Sequence, residues 1–243
     1  MAAPAQRAAL ISSDVIAACF TAFEGVELGK PVMPDQFIHY QFQGPPITSD
    51  ERRVMYQNWL LGKGFQDLAR GIRETLEEAT LYLHLIAKTG VPIQLQQLAK
   101  VRKHAASLRF PSLMAKVNAK LVEPMAFEAE FLSIQKVRNC LEHRAGVVGT
   151  QDLDEGDTAL SLNFPRRKVF YLRGGEEIEI APNEPVNAGD GKPDVQLLVR
   201  IVTRTQKYRL GEQIIFTSSQ FSEIAAACHH FATDLASKLP TVS

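Results

Sequence analysis

The stretch Arg138-Asn139-Cys140-Leu141-Glu142-His143-Arg144-Ala145-Gly146 gathers the side chains of this sequence best suited to chemistry on an anion. Histidine is the side chain whose ordinary pKa lets it take up and give back a proton near neutrality. An arginine fork offers paired N–H donors that match two phosphate oxygens, and it stays charged throughout. Asparagine can orient such a phosphate or hold the imidazole in one tautomer. Proton transfer beside a bound phosphate is therefore the chemistry that Arg138, Asn139 and His143 could perform together. The same residues also have plainer uses. Arg138 and Glu142 stand four apart and can form an ordinary surface ion pair. A protonated His143 at a helix C-terminus is favoured by the dipole alone.

One element must position them. Phe127, Phe131, Ile134, Val137 and Leu141 recur at three and four residues, which predicts a helix opened by Pro124 and ending near His143, with Gly146 just beyond. Each residue advances about 100° around the axis. With Ile134 at the centre of the buried stripe, Asn139 and His143 fall on the face away from the core, together with Gln135 and Lys136. Arg138 falls at the edge of the stripe, about 140° from the histidine. In an ideal helix the two do not touch. A frayed last turn, the length of the arginine, or a second helix end brought up by a two-fold dimer would join them in one pocket.

The other elements follow from period and punctuation. Ile16, Phe20 and Phe23 predict a short first helix stopped by Gly25. Residues 25–48 form a proline-bearing connector in which Phe37 to Phe42 fit either a short strand or a packed turn. Thr48 and Glu51 have capping-box spacing and open a very long helix with the stripe Val54, Leu61, Phe65, Leu68, Ile72, Leu76, Ala79, Leu83 and Ile86, bent at Gly62 and Gly64. Trp59 and the phenylalanines read as core. Shorter helices follow from Leu95 and after Pro111. Beyond Val148 the period drops to two, with Leu160, Leu162 and Phe164, then Val199, Ile201 and Thr203, as strands. Gly174-Gly175 marks a turn, and residues 181–194 read as an exposed loop. Thr217 and Gln220 cap a last helix with the stripe Phe221, Ile224, Cys228, Phe231 and Leu235. The fold class expected is mainly α: a helical bundle from residues 1–149 plus 218–243, with a β-rich insertion at 150–217 packed on it, α+β overall.

Composition narrows the classes. The chain has 243 residues, 45% of them hydrophobic, enough for a full core. Lys plus Arg and Asp plus Glu both number 27, so a polyanion partner needs a local patch. The three cysteines are scattered and lack CxxC pairing, against both a disulfide framework and a zinc site. No apolar run approaches the roughly 18–20 residues of a membrane span. No secretion signal is read at the start, and a reduced, cytoplasmic protein is expected.

Arg-Asn-x-x-x-His at 138–143, with the Arg144, Gly146 and Val147-Val148 that follow, resembles the hallmark of the HEPN superfamily, the higher eukaryotes and prokaryotes nucleotide-binding domains. The resemblance covers roughly residues 50–148 plus the final helix. It implies a small α-bundle with the motif at a helix end. Many members are metal-independent ribonucleases acting as homodimers, often in toxin–antitoxin or anti-phage systems with a cognate protein partner. Others are non-catalytic, and an interaction or nucleotide-binding module is the alternative reading. For this chain the resemblance implies catalytic roles for Arg138, Asn139 and His143, RNA contacts from Lys136 and Arg144, and neither cofactor nor metal. The expected products are a 2′,3′-cyclic phosphate and a 5′-hydroxyl.

Other groups are weaker. Lys100, Arg102, Lys103, His104, Arg109, Lys116 and Lys120 could line a phosphate groove, but such a run is more often a solvated helix face. Arg200 and Arg204 are expected to pair with Glu176, Glu177 and Glu179 across a sheet. Asp152, Asp154 and Asp157 lack calcium-loop spacing and read as a turn. His229 and His230 have no second ligand pair nearby, and one of them is expected to pack beside Phe231.

Overall fold

The structure, a computed structural model, describes residues 3–28, 46–180 and 196–241. The expectations for Phe37–Phe42 and for the 181–194 loop lie outside those residues. Among the described residues the fold is mixed, with helices α1 (Ala3–Phe23), α2 (Ser49–Ile86), α3 (Leu95–Ser107), α4 (Phe110–Asn118), α5 (Glu128–His143) and α6 (Ser218–Ser237). Strands β1 (Ala159–Arg173), β2 (Glu176–Glu179) and β3 (Leu198–Arg209) form an antiparallel sheet in the order β2-β1-β3. No helix among the described residues is long and apolar enough to cross a membrane.

The long helix α2 is the axis of the bundle. Its first turn is closed as the spacing predicts: Glu51 N–H donates to Thr48 Oγ1 at 3.2 Å, and Thr48 N–H donates to Glu51 Oε2 at 2.8 Å. Leu61, Phe65, Leu68, Ile72, Leu76, Ala79 and Leu83 are buried along one stripe. The helix is unbroken through Gly62 and Gly64, and Gly64 serves close packing. A Cβ there would lie 2.6 Å from Ile16 Cδ1 on α1 and 2.8 Å from the Phe221 ring on α6. At Gly71 a Cβ would meet Ala8 Cβ at 2.8 Å and Ala5 Cα at 3.0 Å. Here α1 is longer than its large apolar residues suggest. It begins at Ala3 and packs through Pro4, Ala5 and Ala9, whose small side chains give a weak hydrophobic signal but allow backbones to approach.

Helix α5 is held on two sides, by α2 and by the sheet. It starts at Glu128 rather than after Pro124. Asn118 Oδ1 and Asp234 Oδ2 accept the N–H groups of Met125 and Ala126, and Phe127 is left-handed, so the chain turns before it coils. Phe131, Ile134, Val137 and Cys140 are buried, and so is Gln135, which donates to Ala69 O of α2. On the sheet side the Ser133 hydroxyl donates to Asn163 O and accepts from Asn163 N–H, both at 2.8 Å. Those backbone groups lie on the edge of β1 away from β3, where Asp154 Oδ2 also accepts Ser161 N–H. Pro165 falls two residues further along that edge, where the missing N–H costs no ladder bond.

Leu160, Leu162 and Phe164 point into the core, as their alternation predicts. Val199 and Ile201 also belong to a strand, but on an exposed face. The Gly174-Gly175 turn joins β1 to β2, both glycines having positive φ. Glu177 bonds Lys168 and Arg200, while Arg204 reaches Glu223 on α6 at 2.6 Å rather than a strand glutamate. Helix α6 opens on the expected Thr217/Gln220 box and buries Phe221, Ile224, Cys228, Phe231 and Leu235.

Candidate functional site

The end of α5 is fixed by backbone bonds on both sides of Gly146. Arg144 N–H and Gly146 N–H both donate to Cys140 O, at 3.0 and 3.1 Å, and Ile214 N–H donates to Gly146 O at 2.8 Å. Ala145 (φ +50°) and Gly146 (φ +80°) are left-handed. The left-handed backbone at 146 favours glycine, and the missing Cβ leaves room for Gln213 Nε2, which would lie 2.7 Å from it and which donates to Ala145 O. The stop after His143 is thus built with residues on the segment between β3 and α6.

At this stop Arg138, Asn139 and His143 share the outward side, joined by a residue that sequence reasoning had placed only in an ion pair. Arg138 Nη2 lies 2.5 Å from Glu142 Oε2, and His143 Nε2 lies 3.9 Å from the same oxygen. Arg138 Nη1 donates to Asn139 Oδ1 at 3.3 Å. The guanidinium and imidazole, nearly opposed on a helical wheel, thus face one carboxylate. The i,i+4 spacing of Arg138 and Glu142 was the available signal. The arginine side chain is 29% exposed and the histidine side chain 63%, so solvent reaches both.

Lys136 and Arg144 sit elsewhere, each in a closed ion pair. Lys136 Nζ bonds Asp154 Oδ1 at 2.6 Å and Leu153 O at 2.9 Å. Burial raises the Asp154 carboxyl, but bonds from Lys136 and Ser161 outweigh it and hold the group below its ordinary value. Arg144 grips the buried Asp152 with Nε and Nη2, and the Arg144 pKa is raised chiefly by that hydrogen bond. These cations fasten the helix end to the chain leading into β1. Cys140 lies between the two sides, its thiol pushed up to about 11 by burial first and the Asp152 charge second, which makes it a poor nucleophile near neutrality.

Beside this helix end runs a groove of about 920 Å³ between the first turns of α2 and the segment Gln213–Ile215, with Leu141, Glu142 and Ala145 on its wall. Its α2 side corrects the sequence reading. Val54, Met55 and Trp59 are 55%, 49% and 61% exposed. Val54 keeps the azimuth of the core stripe but lies beyond the partners that cover Leu61, while Trp59 lies on the opposite ridge. The basic residues of α3 and α4 form a solvated surface, with Lys116 Nζ 3.2 Å from His104 Nε2. His229 is exposed, and His230 meets the Phe127 ring edge-on at 6.5 Å. Asp152, Asp154 and Asp157 bind separate partners, Arg144, Lys136 and Lys207.

No family model matches the chain, and neither a curated protein nor a solved structure does.

Proposed function

We propose that the exposed end of α5 handles the phosphodiester of an RNA, in a HEPN-like protein that cleaves its substrate without a metal and acts as a homodimer. The observation that supports this reading is the sharing of the Glu142 carboxylate by Arg138 and His143, at 2.5 and 3.9 Å. An anion held at that point bonds the guanidinium and lies about 4 Å from the imidazole, close enough for a small shift to bring it into hydrogen-bond reach. In this reading a phosphate displaces Glu142 from Arg138, exchanging one bound anion for another. Asn139 then steadies a phosphate oxygen. His143 removes the 2′-hydroxyl proton or protonates the leaving 5′-oxygen, and its counterpart in the second subunit supplies the complementary step. The products are a 2′,3′-cyclic phosphate and a 5′-hydroxyl. Lys136 and Arg144, both already paired, keep the helix end in place and contribute little to RNA binding. Toxin–antitoxin or anti-phage work, with a cognate neutralising protein, is the setting that fits such an activity.

Incubation of total RNA with the protein in chelator tests the proposal. Wild type is expected to cleave, and His143→Ala to abolish cleavage while its circular dichroism is unchanged. Intact RNA with wild type, or equal cleavage by His143→Ala, would exclude this role for the helix end. A second reading, a non-catalytic interaction module, is favoured by one observation: the groove beside the motif is walled by Val54, Met55 and Trp59 and carries carboxylates at Asp50, Glu51 and Glu142, which suit a protein better than a polyanion.

A further inference from the structure

On α2 the residues Glu51, Met55, Trp59 and Lys63 stand four apart and are all exposed. They form one i±4 ridge about 18 Å long, reading acid, apolar, apolar, base. Inverted, this order is its own complement. We propose that the ridge is the seam of a homodimer, two copies of α2 crossing antiparallel about a two-fold axis between Met55 and Trp59. Glu51 then faces the partner's Lys63, Met55 packs on the partner's Trp59, and each contact occurs twice, as an isologous interface requires. A parallel arrangement would set Glu51 against the partner's Glu51 and Lys63 against the partner's Lys63.

The parts are prepared for this use. Glu51 bonds Thr48 through Oε2 alone, leaving Oε1 without a partner among the described residues. Lys63 Nζ lies 6.0 Å from the Trp59 ring centre and 3.3 Å from Gln66 Oε1, which keeps the ammonium at the end of the ridge. Exposed ion pairs alone bind weakly, so burial of the two apolar residues supplies the attraction and the charges set direction and register. The seam borders the groove that Glu142 lines, so the partner copy covers the flank of the Arg138–Glu142 pair. The inference rests on the dimer assumed above, but it does not need RNA chemistry.

Sedimentation velocity on the full chain is the test. Wild type is expected to run at twice the monomer mass, and Trp59→Ala and Lys63→Glu at the monomer mass. Glu51→Lys alone is also expected to be monomeric, yet an equimolar mixture with Lys63→Glu restores the dimer, because both ion pairs then re-form in the heterodimer. Trp59 is the sole tryptophan, so its emission in wild type is expected to shift to shorter wavelength as concentration rises through the association range. This readout needs no variant and holds even if Glu51→Lys, which loses a capping group, folds poorly. A monomeric wild type, an emission maximum independent of concentration, or a dimer indifferent to Trp59→Ala and Lys63→Glu would overturn the seam. Failure to cleave RNA would leave these outcomes unchanged and count against the nuclease reading alone.

Discussion

The two halves of α2 obey different rules, although one unbroken helix joins them. In the C-terminal half the outward ridge is charged and self-paired: Arg70 meets Asp67 at 2.8 Å and Glu74 at 3.9 Å. Beneath it Leu68, Ile72 and Leu76 are fully buried. In the N-terminal half the outward positions carry Val54, Met55 and Trp59, and the nearest fully buried residue of the stripe is Phe65. A helix whose exposed ridge is satisfied by its own salt bridges has finished its packing. One that leaves its only tryptophan in solvent has not.

That contrast can be broken in graded steps. The largest effect is expected from Ile72→Ala in the packed half, a loss of about 3–4 kcal/mol in urea unfolding from transfer and cavity terms together. Gly71→Val comes next, at about 1–3 kcal/mol, because the new Cβ meets backbone of α1 at Ala5 and Pro4; chemical-shift changes confined to α1 and its α2 contacts would locate the damage. Trp59→Gln, measured in dilute protein where any dimer is dissociated, is expected to change stability by no more than about 0.5 kcal/mol. A cost close to that of Ile72→Ala would erase the distinction between the halves. The smallest signal concerns acid. Backbone and side-chain hydrogen bonds from Thr48 hold the Glu51 carboxyl below its ordinary value. A lowered folded-state pKa stabilises above the unfolded value and loses that contribution as pH falls through the folded one. Amide protection at the start of α2, relative to intrinsic exchange at the same pH, is therefore expected to fall below about pH 4, the ordinary glutamate range, before protection near Ile72 does. Simultaneous change at both ends would show that the cap is not separable.

Local signals in the sequence were reliable where chemistry is local. The boxes at Thr48/Glu51 and Thr217/Gln220 and the stripe of α6 depend on residues within one or two turns. Misreadings arose where a second partner decides the outcome. A single-stripe wheel assumes one buried side, so Gln135 was placed in solvent although α5 is covered on two. Trp59 reads as core by spacing, yet it lies on the ridge of α2 opposite the buried stripe and is exposed, and α1 starts earlier than its large apolar residues suggest because alanines packing on Gly71 are nearly silent in hydropathy. The start of α5 was set at Pro124, where the N–H groups of Met125 and Ala126 are instead captured by Asn118 and Asp234. In the motif, Arg138, Asn139 and His143 were legible as a group. The carboxylate of Glu142 between them depends on rotamers, which spacing does not encode.

Three bonds along α5, from Ser133 to Asn163, from Lys136 to Asp154 and from Arg144 to Asp152, moor the helix to the strand region over most of its length. Each takes up a polar side chain that would otherwise compete for the open side. What remains outward is Arg138, Asn139, Glu142 and His143. Residues 152–163, the chain leading into β1 and the start of that strand, therefore set the aim of the motif: a chain shortened by removing them would keep every motif residue and lose the moorings that decide which way those residues look.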